Sequence, residues 1–287
     1  MIQDTKSNKI FILSILILIT FFLAYQHTVS SKETFEETLV ATQIEVNTGI
    51  TDINIWPDDQ AQNITVEAAG AGVKAITIKR EGTKGIIDFT KIPSQSKIFM
   101  QRPPVINITV PSSSLDDIQV KSTTGDIQFF GSLSVQNSLF VENNTGDIEV
   151  EVVKSSHTIS LQTNTGDIVA TNLAAPSVVA QIKTGDLEIK KINTQHVTAH
   201  TTTGDLIIDA FQNKNSQATL STTTGDIDLE LATEPQGMFH VTSNTGNLEI
   251  NDTKRSLPYQ SDKKADASLI VTTGTGDIEV NYPSSIQ

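Results

Sequence analysis

The sequence predicts an all-β fold, wound as a single-handed parallel β-solenoid with coils of about 20 residues behind an irregular β cap. Three observations predict it. The first is a recurring phrase, met as "TTGDIQF", "NTGDIEV", "NTGDIVA", "KTGDLEI", "TTGDLII", "TTGDIDL", "NTGNLEI" and "GTGDIEV". Its glycines, Gly125, Gly146, Gly166, Gly185, Gly204, Gly225, Gly246 and Gly276, are separated by 21, 20, 19, 19, 21, 21 and 30 residues. Such a period is too short for a globular module and fits one coil of a stack. The second is composition: aromatics make up only 5% of the chain, while Thr, Asn, Ile and Val abound, the mix of many short strands. The third is strict alternation once the copies are aligned on their glycine. Seven and five residues before it stand apolar pairs such as Ile118 and Val120, Ile159 and Leu161, or Leu269 and Val271, while the next position carries polar residues such as Lys121, Gln162 and Ser221.

Taken from the N-terminus, residues 1–9 read as a cytoplasmic segment in which Lys6 and Lys9 precede the uncharged run "IFILSILILITFFLAY" at 10–25. That charge order keeps the N-terminus inside the cell and exports the rest of the chain. The 16 apolar residues suit a retained transmembrane anchor or the core of a signal peptide, for which "VSS" at 29–31 offers a cleavage site. Residues 26–34 are a polar linker. Residues 35–110 hold strand-like stretches such as "TDINIWPDD" and "VINITVP" without a clean period, and "NTGITDINI" around Gly49 reads as a decayed copy of the repeat. This part is expected to cap the regular coils, since the terminal repeats of an array are atypical. Residues 111–287 are the repeat solenoid.

Within each copy the second residue after glycine is Ile or Leu, and the fourth is Phe129, Val150, Ala170, Ile189, Ile208, Leu229, Ile250 or Val280, which starts a second inward-facing strand. Inward parity cannot pass from the Thr before glycine to the residue three places later along one continuous strand, so Gly-Asp is a corner. Glycine supplies a backbone conformation closed to residues with a Cβ, and Asp a carboxylate that can hold the bend. The preceding Thr124, Thr145, Thr165, Thr184, Thr203, Thr224, Thr245 and Thr275 share the parity of the buried Val and Leu positions and are expected to point inward as a Thr ladder, not outward as an ice-binding array.

Stacking such coils aligns the Asp residues in one column and Gln128, Glu149, Val169, Glu188, Ile207, Asp228, Glu249 and Glu279 in another. Asp147 with Glu149, Asp186 with Glu188, Asp226 with Asp228, Glu249 beside Asn247, and Asp277 with Glu279 form an acidic edge that could attract Ca²⁺ weakly from adjacent coils. The plainer expectation is turn residues and solvated charge, with no cofactor. Between Gly246 and Gly276 lie about ten residues beyond the period. They fall within a segment, 251–268, that carries Lys254, Arg255, Tyr259, Lys263 and Lys264 and reads as a loop for a partner.

These residues resemble the putative-adhesin proteins of bacterial envelopes, which are built of "sGdI" repeats behind an N-terminal signal or anchor. The resemblance is carried by "INITVPSSSLDDIQVKSTTGDIQF" at 106–129 and spans roughly residues 38–282. It implies a β-solenoid at the cell envelope and a role in surface interaction, with no chemistry to carry over.

Charge and residue usage exclude several classes. A net charge of −13 opposes nucleic acid and anionic lipid surfaces. The absence of cysteine removes disulfides, thiolate metal sites and thiol nucleophiles. A carbohydrate-cleaving β-helix would need acids converging on one face, whereas the outward face offers Lys183 and His200 without an acid partner. The expectation is an exported, extracytoplasmic envelope protein, held at the membrane by its N-terminal segment or secreted. It would catalyse nothing and would present its surface to an unknown protein or cell-surface polymer. The alternatives are a self-assembling structural polymer and a carbohydrate-active enzyme.

Overall fold

A computed structural model describes residues 33–70, 72–91, 104–211, 216–235, 237–262 and 267–283, and builds them of β-strands apart from one short 3-10 turn at Val73–Ala75. The expected N-terminal segment and anchor, residues 1–25, lie outside these residues, as do Lys263 and Lys264. Among the described residues no helix is long and apolar enough to cross a membrane.

The strands before the corners stack in parallel and in register. Ile44, Ile118, Leu139, Ile159, Val178, Val197, Ala218, Leu269 and Phe239 form one continuous row across them. Each is no more than 2% exposed. The strands after the corners form a second parallel row through Ile127, Ile148, Ile168, Leu187, Leu206, Ile227, Ile278 and Leu248. The segment that returns the chain to the next coil is itself ordered by pairing. Leu133, Val153, Leu173, Ile192, Phe211 and Leu231 align as a third buried column, past a register shift such as that between Val150 and Val152. With the columns five residues before glycine and four after it also buried, a coil of about 20 residues buries at least five columns of side chains, which is why a chain so poor in aromatics still builds a continuous core.

The order of the stack is not the order of the chain. The strand Gln217–Thr224 of the Gly225 coil pairs with Ser268–Thr275, and Ser268–Thr275 pairs in turn with Met238–Thr245. After the Gly225 coil the chain therefore leaves a gap, builds the outermost Gly246 coil, and comes back to fill the gap with the Gly276 coil. The long spacing before Gly276 is the path of that return. On the way, Thr253–Arg255 lies antiparallel to Leu248–Ile250, and Tyr259–Asp262 antiparallel to Met238–Thr245. The segment read as a partner loop is in large part the covering of the outer edge.

The other end is closed by the same device. Gln43–Ile50 and Asp52–Asp58 make the first coil, directly against the Gly125 coil. Lys84–Phe89 and Val105–Pro111 add parallel strands outside it, and Thr77–Glu81, Ile64–Ala69 and Thr34–Leu39 follow antiparallel. Antiparallel strands, with charges such as Lys254 and Arg255 on the last of them, blunt an edge that would otherwise template further pairing.

Candidate functional surfaces

At every corner the glycine has φ between +120° and +152°, which favours residues without a Cβ. Stacking adds a second demand. A Cβ on Gly166, Gly185, Gly204, Gly225, Gly246 or Gly276 would lie 1.9 to 2.2 Å from the glycine carbonyl oxygen of the neighbouring coil. Each of these glycines except Gly246, on the outermost coil, donates its N–H to the Thr carbonyl of the adjacent coil, as from Gly185 to Thr203 at 2.9 Å. Only glycine allows that approach. The decayed copy confirms the rule by its exception, for its corner is Thr51-Asp52 and not Gly49. Thr51 aligns with Gly125 through its N–H bond to Thr124, and it sits in the first coil with no glycine corner beneath it.

The Asp column is consumed by the stack. Oδ1 of Asp52, Asp126, Asp147, Asp167, Asp186, Asp205, Asp226 and Asp277 each accepts the backbone N–H of the next corner residue at 2.7 to 2.9 Å. Each carboxylate holds the coil above it, and not its own bend. Asn247, the departure from the pattern, stands on the outermost coil, where its Nδ2 donates to Asp277 Oδ1 at 3.1 Å.

Three residues before glycine a second column satisfies the corner carbonyls. Asn143, Thr163, Thr201, Thr222, Thr273 and Ser243 donate from their side chains to the glycine oxygen of the adjacent coil at 2.8 to 3.2 Å. Ile182, in the same column, has no donor to offer. The expectation that the Thr directly before glycine also points inward is corrected here: Thr145, Thr165, Thr184, Thr203, Thr224, Thr245 and Thr275 are exposed. The ladder skips the residue before each of them, so the chain has already begun to turn and the period-2 parity no longer applies.

The second acidic column runs in stack order through Gln128, Glu149, Val169, Glu188, Ile207, Asp228, Glu279 and Glu249. Asp228, Glu279 and Glu249 are consecutive neighbours, and Lys254 on the covering strand stands 3.9 Å from Glu249. Burial, then the charges of Glu279, Asp209 and Glu230, push the Asp228 carboxyl up. Glu149 is raised by burial first and then by Asp147 and Asp126, although Gln128 Nε2 donates to it at 3.1 Å. Among the described residues no group of three acidic or histidine side chains is placed to hold a metal ion. Glu188 is bridged by Lys190 at 3.7 Å.

The remaining candidates are dispersed. Tyr259, on the covering strand Tyr259–Asp262, packs edge-on against Phe239, 5.6 Å between centroids, and Arg255 lies on the other covering strand, Thr253–Arg255. His200 Nδ1 lies 2.9 Å from Ser221 Oγ, while Lys183 is exposed on the neighbouring coil. A groove of about 360 Å³ near the N-terminal end is lined by polar residues including Asn47, Lys121, Glu142, Asn144 and Asn164. Lys121 and Glu142 pair across it at 3.2 Å. Asn143, which also borders it, leaves its buried Oδ1 without a partner.

One feature stands outside the repeat columns, in the cap. Trp56, 44% exposed, stacks on Phe130 with ring centroids 3.9 Å apart and planes within 4°. The only cue in the sequence is a Trp at an outward position of "TDINIWPDD".

The sequence profile of the family described as Toastrack DUF4097 matches residues 41–281. No protein of curated function matches the chain. Among solved structures, a putative adhesin from Parabacteroides merdae is similar with a TM-score of 0.53 at 12% identity, over 89% of this chain and 97% of that one. A putative adhesin from Bacteroides fragilis has a TM-score of 0.47 at 14% identity, over 88% and 98% of the two chains. A protein from Parabacteroides distasonis described as a putative lipid binding protein has a TM-score of 0.48 at 15% identity, over 89% and 98%.

Proposed function

Because the chain belongs to the Toastrack DUF4097 family, we propose that it works as an envelope protein, exported behind its N-terminal segment, whose solenoid presents an extended surface for adhesion or binding without catalysing a reaction. The observation that carries this reading is the use made of the repeat. Its Gly, Asp and Thr columns are taken up in hydrogen bonds between coils, so the repeated phrase is scaffold, and the outward positions between corners are left to vary from coil to coil. The adhesin name of the Parabacteroides merdae neighbour points the same way for that protein. The polymer alternative is disfavoured by antiparallel strands over both ends of the stack.

The test is retention of the full-length protein on isolated cell-envelope fractions, together with protease accessibility of residues 33–287 in intact cells or, where there is an outer membrane, in spheroplasts. Saturable retention and digestion of the exposed chain are expected. Absence of retention on every fraction, or full protection in both preparations, would contradict the reading. Filaments or concentration-dependent sedimentation would favour the polymer, and shortening of an envelope glycan the enzyme.

A further inference from the structure

Trp56 is the single tryptophan of the chain, and the structure leaves it 44% exposed. An exposed Trp stacked on a second ring is more than a single scattered apolar residue, and leaves a large amphipathic ring available for contact. Its surroundings specify the contact. On the outward row Trp56 is flanked by Thr109 on the neighbouring strand and Thr65 beyond it, while Phe130 stands on the other side. The two rings are nearly parallel at 3.9 Å and sit on adjacent strands, so their normals run along the stack. One face of the indole is covered by Phe130, and the other looks along the sheet over the short side chains of Thr109 and Thr65. The result is a notch with an aromatic wall and a hydroxyl floor.

A row of amides borders the notch on the corner side. Asn54 pairs across the sheet with Asn107 and with Gln128, and its Nδ2 donates to Asn107 Oδ1 at 3.0 Å. Each amide has two N–H donors and a carbonyl oxygen, more than that bond uses. Glu67 and Glu149 end the row on either side.

We propose that this notch is a subsite for an uncharged glycan, with the apolar C–H face of one pyranose against the indole and its rim hydroxyls on Thr109, Thr65, Asn107 and Asn54. A sugar ring is matched on both counts, since it has an apolar face and a hydroxyl rim in one rigid body. A nucleobase would also stack, but its phosphates would meet Glu67, Glu149 and a chain of net charge −13. The inference rests on the surface-binding function proposed above and names its partner.

The experiment applies the full-length protein to an array of uncharged and acidic oligosaccharides that includes cello- and chito-oligosaccharides, then titrates retained sugars while following tryptophan emission, which reports this site alone. Retention of uncharged glycans, an emission change on titration, and at least tenfold weaker binding for Trp56→Ala at unchanged Tm are expected. Thr109→Arg, which fills the notch and leaves the ring pair in place, is expected to do the same. No uncharged glycan retained, or undiminished retention by both variants, would overturn the proposal. Envelope fractions held equally by wild type and both variants would remove this subsite while leaving the broader function in place. Loss of envelope retention after protease treatment of the fractions would identify a protein partner instead and overturn the glycan.

Discussion

The middle of the stack and its two ends solve the same problem differently. From the Gly146 coil to the Gly225 coil every corner is both donor and acceptor to an identical corner, so one phrase satisfies itself indefinitely. An end has no such neighbour. The first coil has Thr51 where glycine is no longer required, the outermost has Asn247 where an acceptor for a further coil has no use, and antiparallel strands cover both. The difference teaches that the repeat is written for stacking, and that its exceptions locate the ends of the stack more faithfully than the order of the chain does.

The largest effect expected from breaking that contrast is at the inner glycines. Gly185→Val or Gly204→Val forces a Cβ against a backbone oxygen 2.0 to 2.1 Å away in a strained φ, and is expected to cost about 3 kcal/mol or more. At the first coil Thr51→Gly meets no such collision and is expected to cost about 1 kcal/mol, from chain entropy and the lost Thr51 hydroxyl bond to Pro104. Thermal or urea unfolding of the variants compares them, and equal costs would contradict the corner geometry.

A smaller contrast concerns the carboxylate ladder. Asp186→Ala and Asp205→Ala each remove an acceptor from a backbone N–H of the next coil, at an expected cost of about 1 kcal/mol. Asn247→Ala removes only the side-chain bond to Asp277 and is expected to cost about 0.5 kcal/mol or less. If Asn247 proved as costly as Asp186, a further coil or partner would have to stack on it.

How far this was legible in the sequence depends on the range of the interactions. Parity and period are local, so the two inward columns around each glycine, the corner itself and the atypical cap could be read from residues such as Ile159, Leu161 and Ile168 alone. Which coil sits beside which is not local. The Gly246 and Gly276 copies present the same columns, Val241 with Ile250 and Val271 with Val280, so either fits beside the Gly225 coil. The extra residues before Gly276 therefore read as a loop, when they are the return path and the edge cover. The outward turn of the Thr before glycine was missed because alternation was carried one residue too far into the bend. The acidic row and its run of Asp228, Glu249 and Glu279 were seen, but that Glu279 lies between the other two is known only from the stack order. Trp56 belongs to no repeat column, so its pairing with Phe130 needed the fold.

The smallest effects are electrostatic and lie along the second acidic column, from Glu149 near the first coil to Glu249 on the outermost. Burial and like charges raise the Glu149 and Asp228 carboxyls above their ordinary values of 4.5 and 3.8. Stability from such groups is fully present below the ordinary values and is lost as pH rises through the raised ones. Glu149→Gln and Asp228→Asn are therefore expected to gain no more than about 0.5 kcal/mol at neutral pH, after solvent screening, and to flatten the decline between pH values near 4 and neutrality. Melting curves across that range check it; an unchanged pH profile in both variants would contradict it. Millimolar Ca²⁺ is expected to raise Tm slightly more than NaCl of equal ionic strength. Asp228→Asn with Glu279→Gln and Glu249→Gln should abolish the difference; equal action of the two salts on the wild type would leave the row as solvated charge.

The stack order is tested most directly by crosslinking, for which a chain without cysteine is well suited. Asp228 and Glu279 are register partners on adjacent strands, whereas Glu249 is one strand further out. Adjacent strands are about 4.8 Å apart and the next is about twice that distance, beyond the reach of a disulfide. Under mild oxidation of the folded protein, the Asp228→Cys, Glu279→Cys pair is predicted to close into an intramolecular disulfide and the Asp228→Cys, Glu249→Cys pair to stay reduced. Closure of the second pair and not the first would mean that the coils stack in chain order, and would contradict the account.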